Sequence, residues 1–491
     1  MTVLERFRPL FYPRGVAISG VSAHPGKWGF LFLHHLMRFG YTGKIFPINR
    51  DGAEVLGRAT MRSVEEIPNG EADLLIVCTP TSINVELLRA AGRRGIRAAF
   101  VAAAGYGEAG EQGKRLEREL VAAAEGSGVL LAGPNGQGLI STGAHLCAQM
   151  VAPYPPPGRI SVASQSGNLV SSFCHYATMT GVGVSKAISC GNSAQLGIDD
   201  YLEYFGEDPD TATAFVYMEG VRDGRAFVDR VGRFSRRKPL VLLKGGATSL
   251  GQHAASSHTG SLASDDRIFD GMCRQLGISR ADTLEEAYET AATFASQPLP
   301  RGNRVVVFTA AGGWGVLCAD ACVGAGLEVV ALPEDLRAEI DQLLPSRWSR
   351  SNPVDMAGGE SRDTIPTLLD LLTRHPAVDA VIYLGIGIQA ANAQVMKSGA
   401  FHPDYGLERI VAFHERQDAR YAEAAREASE RYGKPVLCAS ELVHTDREGV
   451  NPATRTVAAG GRITYPSAHR AVRALAHLVR YAQWRRRRAG A

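Results

Sequence analysis

The sequence lacks a strong charge bias and any long apolar run. Its 53 Lys and Arg residues are balanced by 50 Asp and Glu residues, so no overall field favours nucleic acid as a partner. No window approaches the roughly 18–20 consecutive apolar residues of a membrane span. The segment 1–13 carries charges and has no apolar core typical of a signal peptide. These absences predict a cytoplasmic protein that does not insert into a membrane.

Cysteine is also sparse, with eight residues scattered among apolar and small neighbours. Cys318 and Cys322 are close in sequence, but their spacing suits one face of a helix better than a metal site. We therefore predict buried free thiols in a reducing compartment and no metal centre.

A rhythm of short apolar run, glycine-rich turn and amphipathic stretch recurs in three blocks, which is typical of parallel α/β sheets. At 491 residues and roughly 150 residues per domain, we predict three doubly wound domains. The proline-rich stretch 153–158 and the linker 298–302 divide them into 1–154, 155–300 and 301–491. In the third block, the apolar run Ile410–Phe413 is interpreted as a strand. Ligand sites should lie beyond the carboxyl ends of the strands.

In the first block, a strand ends at a turn that runs from Gly20 to Lys27 and precedes a helix near Trp28. This order favours phosphate binding at a helix start, and Lys27 suits an additional phosphate. His24-Pro25 breaks the three-glycine fingerprint of NAD proteins, and Asn49 stands where a ribose-binding acid is expected. A nucleotide-like ligand and a purely structural turn both remain open from spacing alone.

The second block contains a similar turn, Ser164-Gln165-Ser166-Gly167, between an apolar strand and the helical stretch 169–179. Backbone N–H groups and hydroxyls at a helix start suit an anion, although a serine there can equally cap the helix. Glu219 follows the strand Ala214–Met218. A carboxylate at a strand end can hold an imidazole nitrogen, or it can be a solvent-facing loop acid.

The loop 254–261 contains His258 among Ser, Thr and Gly residues, directly before a helix predicted to open at Asp265. This setting suits a nucleophilic imidazole that accepts a phosphoryl group. A plain surface histidine is the alternative that spacing alone favours. In the third block, the glycine turn Ala310–Gly315 is equally consistent with phosphate binding and with close backbone packing.

Together these segments resemble the NDP-forming (ADP-forming) acyl-CoA synthetases, the acetate–CoA ligase family related to succinyl-CoA synthetase. The motifs that carry the resemblance are Ser256–Ala263, Ser164–Gly167, Tyr217–Gly220, and Ser189–Asn192 together with Asp208–Thr211. Their order matches the α part of that family over nearly the whole chain.

The resemblance implies a CoA-binding Rossmann-like domain, a flavodoxin-like domain with a phosphohistidine loop, and a second flavodoxin-like ligase domain. It implies that His258 is phosphorylated, that Glu219 stabilises the phosphorylated ring, and that Ser164–Gly167 holds phosphate. It places coenzyme A near six residues of the first block: Gly20, Ser22, Lys27, Asn49, Thr79 and Pro80.

Two departures from the family pattern, Gly136-Gln137 and Gln195, fall where the acyl group should bind, so the sequence leaves the acid open. The family also uses an ATP-grasp module for Mg-ATP or Mg-ADP, and the blocks after Gly302 leave no room for it here. The resemblance therefore implies an α subunit that works with a separate ATP-grasp β subunit in a hetero-oligomer. A non-catalytic CoA-binding regulator is the alternative, and an NAD-dependent oxidoreductase is a distant third.

Overall fold

The fold is described from a computed structural model of the chain. It describes residues 1–151, 153–221, 223–248, 250–251, 265–358, 363–442 and 451–490. The chain forms two compact units. The first is Met1–Met179 with Gly183–Ala287, and the second is Thr180–Val182 with Tyr288–Ala491.

The first sheet, in the first unit, consists of parallel strands in the order β2-β1-β3-β4-β5. These strands are β1 (Gly15–Ser19), β2 (Lys44–Ile48), β3 (Leu74–Val77), β4 (Ala98–Val101) and β5 (Leu130–Ala132). The helices of this part are α1 (Val3–Phe11), α2 (Trp28–Arg38), α3 (Thr81–Arg93) and α4 (Gly110–Gly126). Strands β1, β3 and β4 are buried along their whole length, as expected for a parallel sheet that is covered on both faces.

The second sheet, in the same unit, has the order β12-β11-β10-β8-β9-β6-β7. Its strands are β6 (Gly138–Ser141), β7 (Leu146–Gln149), β8 (Pro157–Ser164), β9 (Val184–Ser189), β10 (Thr213–Met218), β11 (Leu240–Lys244) and β12 (Ser279–Ala281). The helices here are α5 (Gly167–Thr180), α6 (Ile198–Glu207), α7 (Gly224–Arg237) and α8 (Asp266–Leu276). Helix α9 (Leu284–Ser296) follows, and its residues from Tyr288 onward belong to the second unit. The helix predicted to open at Asp265 is α8, with the Asp265 side chain as its N-cap.

An antiparallel hairpin, β6 and β7, closes one edge of this sheet. Strand β6 pairs antiparallel with β9, and β7 pairs with β6. The hairpin precedes residue 154 in the chain but belongs to the second sheet by its hydrogen bonds. The boundary at 154 stays a prediction, and these two strands were not predicted from the sequence.

The third sheet lies in the second unit and is also parallel, in the order β14-β13-β16-β17-β18 with β15 beside β13. Its strands are β13 (Arg304–Thr309), β14 (Glu328–Val329), β15 (Val354–Asp355), β16 (Ala380–Leu384), β17 (Val436–Ala439) and β18 (Thr464–Tyr465). The helices are α10 (Gly312–Gly324), α11 (Glu334–Asp341), α12 (Thr364–Arg374), α13 (Ile388–Lys397), α14 (Leu407–Tyr432), α15 (Pro452–Ala459) and α16 (Ala468–Ala489). The predicted class, three α/β sheets with parallel strands, is confirmed.

The strand predicted at Ile410–Phe413 is wrong, because these residues lie inside the long helix α14. A short apolar run does not by itself distinguish strand from helix. The 26-residue helix buries Val411 and Tyr421 on one face, and Ile410 and Phe413 are partly exposed on its surface.

Among the described helices, none combines the length and the apolar content that crossing a membrane requires.

Candidate functional site

The turn that joins β8 to α5 uses its own serine hydroxyl to hold its shape. Ser164 Oγ donates to the carbonyl of Ser166 (2.7 Å) and accepts the N–H of Ser166 (3.1 Å). Ser164 is fully buried, so its side chain is occupied within the turn. An anion at this helix start would therefore contact Ser166 and the first backbone N–H groups of α5, which begin at Gly167 and carry the positive end of the helix dipole.

Gln165 connects this turn to the neighbouring strand end. Its Oε1 accepts the N–H of Glu219 (2.6 Å) and of Gly220 (3.3 Å), and its Nε2 donates to the carbonyl of Gly220 (3.0 Å). The backbone N–H of Gln165 also donates to the carbonyl of Tyr217. The predicted phosphate turn and the predicted acid are thus joined at the carboxyl ends of β8 and β10, which pair in parallel.

Glu219 is buried, with 6% of its surface exposed, so the reading of a solvent-facing loop acid does not fit. The hydroxyl of Tyr217 donates to Glu219 Oε1 at 3.0 Å. Burial raises the pKa of Tyr217, and the neighbouring Glu219 carboxylate raises it further. This hydrogen bond and the Gln165 contacts hold the acid in one place, as a group that orients a catalytic imidazole requires.

Two residues near this centre escaped the sequence-based prediction of the site. Gln137 donates through Nε2 to Asn168 Oδ1 (2.9 Å), at the first turn of α5. A Cβ on Gly167 would lie 2.3 Å from Gln137 Cγ, so glycine at the helix start makes room for that side chain. Lys244 ends β11 beside β10, and its Nζ lies 3.4 Å from Asp266. In the sequence, the departure from the family pattern at Gln137 pointed to the first of these residues. The position of Lys244 at a strand end, before two glycines, could have pointed to the second.

A cleft of about 660 Å³ adjoins the same strand ends. It lies between α4 of the first sheet and the turns that follow β8, β9 and β10. Gln165 and Gly220, which fix the position of Glu219, both line it. A cavity of this size with a few fixed polar groups is typical of small-molecule sites.

The turn after β1 is the second candidate site. Gly20 has a φ of +78°, and a Cβ there would lie 2.9 Å from the carbonyl oxygen of Cys78. A Cβ on Gly29, in the first turn of α2, would lie 2.2 Å from the carbonyl oxygen of Gly20. Both glycines let the helix start approach the strand end closely, which is the arrangement that brings backbone N–H groups to a phosphate.

The remaining residues predicted near coenzyme A surround this turn. Asn49 holds it, because Nδ2 donates to the carbonyl of Val21 (2.7 Å) and Oδ1 accepts the N–H of Asp51 (2.9 Å). Ser22 Oγ accepts the N–H of His24 at 3.1 Å. Lys27 is exposed at the N-cap of α2, where no described side chain caps the helix.

Thr79 and Pro80 follow β3, on the other side of β1. Thr79 Oγ1 donates to Asn84 Oδ1 (2.7 Å) and lies 3.3 Å from Ser19 Oγ. Strands β2 and β3 flank β1 on its two sides, so the order of the strands in the sheet reverses at β1. Ligands of open α/β sheets bind at this kind of switch point. The close-packed glycine turn, the uncapped helix start and Lys27 fit the phosphates of a nucleotide such as coenzyme A.

The third glycine turn, after β13, repeats the local geometry of the Ser164 turn. Thr309 Oγ1 donates to the carbonyl of Ala311 (2.8 Å) and accepts its N–H (2.9 Å). Helix α10 then begins at Gly312, where a Cβ would lie 2.7 Å from Asp355 Oδ2. Close packing therefore explains this glycine, and phosphate binding at the turn stays a prediction.

His258 lies outside the described residues, so its predicted role is not tested by the geometry. The described residues contain no cluster of three or more side chains that could hold a metal ion. The eight cysteines are free, seven of them buried and Cys78 partly so, which agrees with the predicted free thiols.

Three domain families match successive parts of the chain. The CoA binding domain matches residues 14–141, the succinyl-CoA ligase like flavodoxin domain matches 157–294, and the ligase-CoA domain matches 305–390. Their order is the order that the resemblance implied.

Similar proteins match over most of their length. Subunit alpha of acetate–CoA ligase (ADP-forming) I from Pyrococcus furiosus is 32% identical over 97% of this chain and 98% of its own. Subunit alpha of the corresponding ligase II from the same organism is 37% identical over 76% of this chain and 80% of its own. A solved acetyl-coenzyme A synthetase 1 of Ca. Korarchaeum cryptofilum, in complex with phosphate and ADP, has a TM-score of 0.81 at 30% identity, covering 98% of this chain and 97% of that one. The chain therefore belongs to the ADP-forming acetate–CoA ligase family, in the part that corresponds to its α subunits.

Proposed function

We propose that this protein is the α subunit of an ADP-forming acyl-CoA synthetase. It interconverts acyl-CoA, phosphate and ADP with a carboxylic acid, coenzyme A and ATP. The observation that carries the proposal is the Gln165 bridge, which fixes Glu219 beside an anion-binding helix start in the same unit as the nucleotide turn at Gly20. Family membership makes a catalytic role the better reading than the regulatory alternative.

Coenzyme A binds at the switch point of the first sheet. Gly20 admits a phosphate close to the backbone, and Lys27 and the start of α2 supply positive charge. Asn49 and Ser22 hold the turn in shape through backbone contacts. Thr79 and Pro80 form the opposite wall of the switch point, after β3.

Catalysis is a relay of one acyl transfer and two phosphoryl transfers. Bound acyl-CoA supplies an acyl group that inorganic phosphate accepts, giving acyl phosphate and free coenzyme A. His258 then attacks the phosphorus; the bond between phosphorus and the acyl oxygen breaks, and the carboxylic acid leaves. The phosphoryl group passes from His258 to ADP, which forms ATP and restores the imidazole. A covalent carrier is useful because it divides one transfer between distant sites into two short ones.

The described residues support this relay in two ways. Ser166 and the N–H groups at the start of α5 stabilise the negative charge of the phosphoryl group. Glu219 is buried and held by Tyr217 and Gln165. Its carboxylate accepts the N–H of the phosphorylated imidazole, which fixes the ring tautomer and balances part of its charge.

The nucleotide half of the reaction belongs to a separate ATP-grasp β subunit, which binds Mg-ATP or Mg-ADP. The two curated relatives from Pyrococcus furiosus carry the name subunit alpha, which supports a partner for this chain. The assembly is an α/β hetero-oligomer, and its location is the cytoplasm.

Phosphohistidine formation is the test. The purified chain is incubated with labelled phosphate and a panel of acyl-CoAs, alone and with the matched β subunit and Mg-ATP. We expect acid-labile, base-stable label on the wild type and on His253→Ala, and no label on His258→Ala. His253 lies in the same segment, five positions earlier, so it controls for general effects of losing a histidine there. No label under any condition would leave the CoA-binding regulator as the better account.

Glu219→Gln provides a second arm of the test. It keeps the size of the side chain and removes the charge that balances the imidazolium form. We expect slower formation and faster loss of the label, with coenzyme A binding unchanged. An unchanged lifetime of the phosphorylated protein would remove Glu219 from the mechanism.

A further inference from the structure

The cleft that Gln165 and Gly220 line contains more polar groups than the relay uses. Its described lining includes Gln165 and Gly220 on the reactive side, and Asn192, Ser193 and Gln195 on the loop after β9. Its volume of about 660 Å³ falls within the range of roughly 300–1,000 Å³ for small-molecule sites. Acetate would fill only a small part of such a cleft.

The apolar part of the wall comes from Ile198, Val221 and Phe227. Ile198 and Phe227 are buried, and Val221 is 38% exposed. These side chains offer contact area to a hydrocarbon body, whose burial is favourable by about 25 cal/mol per Å². The cleft can therefore hold an acyl chain or ring of several carbons.

The carboxylates in the wall are committed to other partners. Glu117 accepts N–H groups from Gly107 (3.1 Å) and from the Asn192 side chain (2.8 Å). Asp199 and Asp200 both pair with Arg230, at 3.0 and 2.7 Å. The fourth, Asp223, caps α7.

The two lining cations, Lys114 and Arg118, are exposed. Because Arg230 neutralises part of the charge of Asp199 and Asp200, the two cations face the two remaining carboxylates, and the cleft has no excess positive charge that would favour a second negative charge on the acid. A neutral polar substituent suits it better.

Gln195 supplies the directed polar contact. Its Oε1 accepts the backbone N–H of Leu131 at 2.7 Å. Because an N–H requires an acceptor, this bond fixes which end of the amide is oxygen. The NH2 group then has no hydrogen-bond partner among the residues that the structure describes, and Gln195 lines the cleft. The Gln195 NH2 group is therefore a donor whose orientation the Leu131 bond fixes and with which a bound ligand can form a hydrogen bond.

Ser193 adds a second unusual feature on the same loop. It has a φ of +54°, and only 5% of its surface is exposed. Its hydroxyl is buried and has no hydrogen-bond partner within the described part of the chain. Positive φ in a non-glycine residue and an unsatisfied buried hydroxyl both cost free energy, and such features concentrate at functional sites.

We infer that this cleft is the acyl subsite, and that the acid is larger than acetate and carries a neutral hydrogen-bond acceptor, such as a keto or ether oxygen, that Gln195 recognises. The inference rests on the proposed function. The reacting carboxyl group lies at the Gln165–Gly220 side, where the chain continues from Glu219, and the body of the acid extends along Ile198 and Phe227 towards Gln195. The Gln195 donor thus implies an acceptor on the acid, and the apolar wall implies a hydrocarbon body.

The test compares acetate, hexanoate, 4-oxohexanoate and 5-oxohexanoate as substrates of the α chain with its matched β subunit, ATP and coenzyme A. We expect the wild type to prefer one oxo acid over hexanoate by about 10-fold or more in kcat/KM, because only the oxo acid offers an acceptor to the Gln195 donor. Gln195→Glu retains the acceptor for Leu131 and removes the donor. It should bring that ratio close to one, whatever its effect on the absolute kcat/KM values.

Val221→Trp fills the cleft at its exposed wall. We expect it to lower kcat/KM for the six-carbon acids at least about 10-fold more than kcat/KM for acetate, since discrimination by size follows the space available. Met179→Trp is the control, because Met179 is 66% exposed at the far end of α5 from the cleft. It should change neither value.

The inference is overturned if acetate is the best substrate and Val221→Trp is neutral, or if Gln195→Glu lowers kcat/KM for every acid equally. In both cases, label on His258 would still establish the proposed function. Absence of label would instead refute the proposed function itself, so the two failures are distinguishable.

Discussion

Replacement of Lys186 by Met removes the cation from a buried ion pair in β9. Lys186 is fully buried, and its Nζ donates to Asp208 Oδ2 (2.8 Å) and Ser185 Oγ (3.0 Å) and lies 3.4 Å from Asp210 Oδ2. Burial alone would lower the pKa of Lys186, but the hydrogen bond and the charge of Asp208 raise it. Lys186 is therefore charged in the folded protein, and it balances the charge of the buried Asp208 carboxylate.

The magnitude follows from what remains after the change. Asp208 is 2% exposed, so in Lys186→Met its carboxylate stays buried and loses its ion-pair partner, although Thr211 Oγ1 still donates to it at 2.6 Å and Lys238 remains bound to its backbone carbonyl. Breaking a buried pair from one side costs about 3–5 kcal/mol. Replacing both charged groups costs less, so Asp208→Asn in the Lys186→Met background should recover at least half of the loss.

Hydrogen exchange of peptides from β9 and β10 measures this locally, since opening free energies differ along a chain. A loss of about 3–5 kcal/mol corresponds to roughly 10²–10³-fold faster exchange or more, at 1.4 kcal/mol per tenfold. Peptides from β16, in the second unit, should exchange as in the wild type. Acceleration below about tenfold in β9, or no recovery in the double variant, would refute the reasoning that Asp208 is stranded.

Three further changes probe the sites and the second unit. Gln165→Leu removes the amide that holds Glu219, so the end of β10 should open more easily by about 1–3 kcal/mol and label transfer to the protein should slow about tenfold; unchanged labelling would show that the bridge is dispensable. Gly20→Ala places a Cβ against the β3 strand end at positive φ, so the Kd for coenzyme A measured by calorimetry should rise at least about tenfold. The control Gly126→Ala, which has open space around its Cβ, should leave this Kd unchanged. Burial raises the pKa of Asp418 to about 6 against the backbone N–H bonds that lower it. The folded state therefore binds this proton more tightly than the unfolded chain, and stability that is present below about pH 4 falls by about 3 kcal/mol as the pH rises to about 6. Asp418→Asn should lack that part of the pH dependence in denaturant unfolding, and equal slopes for both proteins would contradict the shift.

Much of the fold was accessible from the sequence because parallel strands and helix starts leave local signals. The helix starts at Trp28 and at Asp265, and most apolar strands, were predicted on this basis. The hairpin of β6 and β7 was missed, since the pairing of β6 with β9 joins residues 45 to 49 positions apart. Ile410–Phe413 was misassigned because four apolar residues fit both periods, and packing along α14 decided the outcome.

In the candidate site, too, local features were predicted from the sequence and long-range contacts were not. Gly20 and the Ser164–Gly167 turn were predicted from strand–turn–helix order, which is a local property. The Gln165 side chain had been assigned to phosphate, whereas its amide is engaged by Glu219 and Gly220. The contact between Gln195 and Leu131 is also long-range. No spacing rule reports which atom of a side chain is occupied, so these roles required coordinates.

The hairpin also sets an order of events during synthesis. The first sheet is complete once β5 has left the ribosome, but β6 and β7 must wait for β9, which follows about 40 residues later. At about 5–20 residues per second, the unpaired hairpin is exposed for roughly 2–8 s. A fragment that ended at residue 154 would carry that hairpin permanently, with its hydrogen-bonding edge open to other chains. The two sheets of the first unit are therefore expected to mature as one cooperative body, and an expression fragment of the coenzyme A site should extend through β12.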